Sequence, residues 1–97
     1  MHMTIRRYTI HPGSTQELVA RIKSGFLPII SKAPNFIAYY AVDEGDGGVS
    51  TVSIFEDEAS ASASNAMAAT WVMQNVASLI SVPPKIISGE VVAEAFA

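Results

Sequence analysis

The chain has 97 residues, 49% apolar and 15% charged, with a mean hydropathy of +0.31, a composition that excludes disorder. No cysteine is present, so disulfides and thiolate chemistry are excluded; the longest unbroken apolar run, residues 36–42, is far shorter than the roughly 18–20 residues of a spanning helix. The net charge of −3 divides unevenly, +4 over residues 1–42 and −7 over residues 43–97, a polarity able to steer self-association, while six scattered bases are too few for nucleic acid.

Thr4 to Ile10 carries β-branched and aromatic residues and stops at His11-Pro12-Gly13, which predicts a first strand closed by a turn. Ser14 followed by Glu17 reads as a capping box, and Leu18, Ile22, Phe26 and Ile29 form the stripe of an amphipathic helix. Pro28 predicts a kink in its last turns, because it lacks the amide that would bond back to Ser24. Asn35 to Val42 and Val49 to Glu56 are the next two strands, joined by a long glycine-rich tip from Asp43 to Gly48. Asp57 is the expected N-cap of a second helix running to about Ile80. Pro83-Pro84 then breaks the chain before a fourth strand from Ile86 to Phe96, with Gly89 as a possible bulge.

The order β-α-β-β-α-β over residues 1–97 predicts one ferredoxin-like α+β domain. Its four-stranded antiparallel sheet has order 4-1-3-2, with both helices on one face. Alternation places Arg6, Tyr8, Phe36, Tyr40, Val42, Thr51 and Phe55 on one side of the sheet. Ile5, Ile37, Tyr39, Val52, Ile54 and Ile87 fall on the other. The second set is the more uniformly apolar and is expected beneath the helices. The first is then the open face, where a second copy of the chain would cover it and form a homodimer. On that face Arg6 and Glu90 are expected to pair across adjacent strands.

At ~100° per residue, Ala61, Ala68, Val72, Val76 and Leu79 cluster on the sheet-facing side of the second helix, with Asn65 among them. A buried amide without partners costs about 1–3 kcal/mol. Asn65 is therefore either a core amide bonded to the backbone or a donor lining a pocket walled by small residues such as Ala68. Trp71 lies at the edge of the stripe, as packing or as a recognition residue. Tyr39 is the strand aromatic placed to share a pocket with Asn65.

The helix followed by Pro34-Asn35-Phe36, the Phe55-Glu56-Asp57-Glu58 junction and a second helix carrying Trp71 resemble the dimeric α/β-barrel superfamily, in its antibiotic-biosynthesis-monooxygenase branch. The resemblance implies a homodimer of facing sheets, with any pocket between helices and sheet. It also implies cofactor-independent oxygenase or haem-degrading relatives in which an Asn and a Trp line that pocket, here matched by Asn65 and Trp71. His2 and His11 are the only histidines, and neither matches a haem ligand, so no cofactor and no metal are expected. Three functions follow: binding of an apolar or aromatic small molecule through Asn65, Trp71, Tyr39 and Ala68; monooxygenation of an aromatic substrate; or a structural interaction module. Arg6 and Arg7 follow the start without an apolar stretch behind them, which predicts a cytoplasmic protein with neither nucleic acid nor membrane as partner.

Overall fold

A computed structural model describes residues 1–97 throughout. The first strand, β1 (His2–Ile10), leads into α1 (Thr15–Arg21), a π-helical turn (Ile22–Phe26) and α2 (Leu27–Ile30). A hairpin of β2 (Phe36–Gly45) and β3 (Gly48–Phe55) follows. Then come the long helix α3 (Glu58–Asn75), a 3₁₀ turn (Ala77–Leu79) and β4 (Ile80–Glu90). The strands form one antiparallel sheet in the order β2-β3-β1-β4, the expected 4-1-3-2 order read from its other edge, and the fold is ferredoxin-like α+β. No helix is long and apolar enough to cross a membrane.

Pro28 reshapes the first helix just upstream of itself. The Leu27 amide bonds to the Ile22 carbonyl five residues back, and this widened turn keeps Leu18, Ile22, Phe26 and Ile30 on one buried face at a constant spacing of four. Ile29, expected in that stripe, is exposed. The capping box does not form: Ser14 makes no side-chain cap, and Glu17 instead pairs with Arg21 at 2.9 Å. Asp57 does cap α3, accepting the Ser60 amide at 2.7 Å.

Three boundaries move. Gly45 pairs with Gly48, so the long tip shrinks to a two-residue turn in which Asp46 and Gly47 have φ of 49° and 81°. Positive φ at both positions is the type I′ geometry that matches strand twist. α3 ends at Asn75, short of Ile80, which opens β4. That strand therefore contains Pro83-Pro84 and ends at Glu90, whereas it was expected to begin only at Ile86 and reach Phe96. β4 pairs with β1 alone, so the prolines sit on a sheet edge, at the register shift between Arg7 and Thr9. Gly89 pairs regularly with Met3 and marks no bulge.

The two sheet faces are the reverse of those expected. Thr4, Arg6, Tyr8 and Ile10 on β1 and Val49, Thr51, Ser53 and Phe55 on β3 are buried beneath the helices. Their alternates, including Ile5, Val52 and Ile54, lie on the open side. In β2 the register shifts between Phe36 and Ala38, so Phe36 packs edge-on against Phe55 at 5.7 Å under the helices and Tyr39 also points inward. Tyr40 and Val42 remain outside, as expected. The earlier start of β4 also removes the Arg6–Glu90 pair: Arg6 lies opposite Ile86, and Glu90 meets the N-terminal amine at 3.3 Å.

Candidate ligand-binding site

The inverted faces put polar side chains where a purely apolar core would otherwise be. Arg6 and Tyr8 rise from β1, Thr51 from β3 and Tyr39 from β2, and they meet Ala68, Trp71 and Val72 of α3 around a cavity of about 20 Å³. That space holds about one water molecule. A groove of about 380 Å³ between α3 and β4 shares Arg6, Tyr8, Val72 and Ile80 with the cavity, so both polar residues stand at the junction of the two spaces. The groove walls are otherwise mostly apolar, with Met73, Val82 and Ile86 among them.

Trp71 is held by the π turn. Its indole lies 5.2 Å from the Phe26 ring, and a Cβ on Gly25 would stand 3.1 Å from its Cζ2. Phe26 in turn packs on Tyr39 at 5.4 Å. The widened turn thus presents Phe26 and a bare glycine backbone side by side, and the Trp71–Phe26–Tyr39 stack forms one wall of the cavity.

The electrostatics favour hydrogen-bond donation. Burial pushes the Tyr39 phenol up to about 12, with Tyr8 close by adding to the shift; the Thr51 hydrogen bond and the Arg6 charge oppose it. Burial likewise raises Tyr8, against the pull of Arg6. Both phenols stay protonated at neutral pH and can donate. Arg6 is 6% exposed and donates from Nη2 to the Asn65 carbonyl at 3.1 Å.

Of the residues expected at the site, Tyr39, Ala68 and Trp71 line the cavity together. Asn65 joins them through its main chain: its carbonyl holds Arg6, while its side-chain Oδ1 is buried with no hydrogen-bond partner. Arg6, Tyr8 and Thr51 also line the cavity, although the sequence pattern assigns them to the open face. His11 is exposed, and His2 Nε2 lies 3.0 Å from Ser88 Oγ, which helps fasten β4 to β1.

The fold and the cavity between helices and sheet define a class of small α+β domains. The model of the antibiotic biosynthesis monooxygenase family matches residues 1–70, and the chain belongs to that family. A protein of unknown function from Nitrosomonas europaea is similar over 99% of this chain and 93% of its own, at 28% identity and a TM-score of 0.83. The ActVA-Orf6 monooxygenase of Streptomyces coelicolor, solved with nanaomycin D, matches 99% of this chain and 91% of its own at 17% identity and a TM-score of 0.80. MhuD, solved as a mutant with two manganese protoporphyrin IX molecules per active site, matches over both full lengths at 17% identity and a TM-score of 0.77. Among curated proteins none matches this chain.

Proposed function

We propose that this chain binds an apolar or aromatic small molecule between its helices and sheet, with Tyr39, Ala68, Trp71 and Asn65 at the inner end of the site. The observation that carries the reading is the 380 Å³ groove, which has the volume of a small-molecule site and runs onto the polar residues of the cavity. The nanaomycin D and porphyrin bound by two similarly folded proteins are ligands of this kind. Trp71 is the sole tryptophan and lines the cavity, so its emission reports on the site. Titration with the neutral aromatic 2-naphthamide is expected to quench it saturably. Ala69→Phe, which fills the groove from an exposed helical position, is expected to weaken binding about tenfold or more. Absence of binding to the wild type, or unchanged binding to the variant, overturns the reading.

Family membership favours a second, catalytic reading on the same site: cofactor-independent monooxygenation of an electron-rich aromatic. The substrate would supply the electrons, so that an activated ring CH₂ and O₂ give a ring carbonyl and water. Asn65 and Trp71 would position the ring and Tyr39 donate a hydrogen bond to its oxygen. Oxygen uptake with an anthrone that is unchanged in both Asn65→Ala and Trp71→Phe would count against it. Such a protein works here as a homodimer, its open sheet face covered by a second copy.

A further inference from the structure

Arg6 is a buried cation for which the fold provides no anion. It takes part in none of the chain's four ion pairs, and its one protein hydrogen bond goes to the Asn65 carbonyl, leaving Nε and Nη1 without a protein acceptor. The exposed arginines are treated differently. Arg7, the next residue, meets Glu44 at 2.9 Å, and Arg21 meets Glu17 at 2.9 Å. Nε and Nη1 are not among the fully buried unpartnered atoms, so this largely buried cation without a counter-ion keeps its free donors within reach of the groove, where an anion from outside the chain can meet them.

The surroundings specify that partner. Beside Arg6 in the groove wall stands Tyr8, held protonated, so this end of the groove presents a cation and an O–H donor, while Tyr39 lines the adjoining cavity. The groove walls leading to it are apolar. A guanidinium fork matches two oxygens on one carbon, and carboxylates are ionised at neutral pH whereas simple phenols are not. Building on the small-molecule site described above, we propose that the groove recognises an organic acid with an apolar, ring-sized body, Arg6 anchoring its carboxylate while Val72, Met73 and Ile86 hold the ring.

Isothermal titration of the wild-type protein with 2-naphthoate, 2-naphthamide and 2-naphthol separates the possibilities. The acid is expected to bind about tenfold or more tightly than the amide of the same shape. Arg6→Gln should abolish that preference, and Arg6→Lys, which keeps the charge but loses the fork, should retain only part of it. In the ligand-free protein Arg6→Met should hold or raise the melting temperature, because it removes an uncompensated buried charge at similar volume. Equal binding of acid and amide to the wild type overturns the anchoring role and leaves the groove as a binding site. Tightest binding of the naphthol overturns the carboxylate. Failure of all three probes overturns the small-molecule site itself. A large loss of stability in Arg6→Met would make Arg6 a folding residue and overturn the proposal even with the groove occupied.

Discussion

Asp57 shows how one side chain joins local structure to solution behaviour. Hydrogen bonds from Ser60, the backbone amide foremost, hold its carboxyl below the ordinary value of 3.8. The ionised form is therefore favoured in the folded chain. Its contribution to stability is present above 3.8 and is lost as the pH falls through the lowered folded value. Asp57→Asn keeps an acceptor at the cap without the titration. The wild-type advantage in urea midpoint is expected to be constant near neutrality and to shrink below pH 3.8; a difference that does not change with pH would refute the assignment. At Gly25 two effects oppose. Alanine adds about 1 kcal/mol of helix propensity but places its Cβ against the indole, which must shift by a few tenths of an ångström. Gly25→Ala is thus expected to change the emission of Trp71 while moving the urea midpoint little.

The elements themselves were largely legible in the sequence, and the misreadings share a cause. The order of strands and helices follows from turn residues and periodicity, which are local. Which side of a strand is buried is not local: a period of two divides β1 into Thr4-Arg6-Tyr8 and Met3-Ile5-Arg7 without saying which set meets a helix. The greasier set is not the core, because polar groups lie beneath the helices and the open face is itself strongly apolar. Ala68 and Trp71 were found because a helix has only one stripe to bury; Arg6 was lost with its strand. The prolines of β4 misled because their effect depends on whether the strand is central or at an edge, and the hairpin tip because an Asp-Gly turn needs fewer residues than the glycines suggested. That turn gives a test of its own. Gly47 has φ of 81°, and an added Cβ would lie 3.0 Å from the Ile10 carbonyl, so Gly47→Val should destabilise the hairpin by about 1–2 kcal/mol or more, read by chemical denaturation. An unchanged midpoint would mean that the turn can adopt another form.

At the scale of the molecule, the open face accounts for the apolar surplus of the composition. Ile87 is 68% exposed and Tyr40 60%, with Ile5, Val52 and Ile54 between them on the same side of the sheet. Contiguous apolar surface of this kind marks an interface, and in the proposed homodimer it meets its own copy. The expected interface residues Tyr8, Phe36 and Phe55 have no part in it, since all three lie under the helices. Ile54→Glu is expected to convert a dimer into a species sedimenting at the 10.3 kDa chain mass, with its secondary structure retained. A wild type that already sediments as a monomer would remove the dimer. The core gives a complementary measure: Phe55 is fully buried, and Phe55→Ala should cost about 3–5 kcal/mol, a large share of the roughly 5–15 kcal/mol available to a domain of this size. Urea denaturation reads that loss directly.

The reversal of faces along β1 has a consequence for how such a chain can change over time. Residues 4, 6 and 8 lie under the helices, with Arg6 and Tyr8 at the proposed ligand site, and residues 3, 5 and 7 lie on the outer side, so the proposed ligand preference and the proposed self-association are written in alternate letters of one short word. Substitutions can revise either text without disturbing the other. A single-residue insertion or deletion within the strand exchanges the two, placing isoleucine where the arginine belongs and the cation on the outer face of the sheet. Lineages descending from this chain are therefore expected to vary β1 by replacement and to confine length changes to its ends.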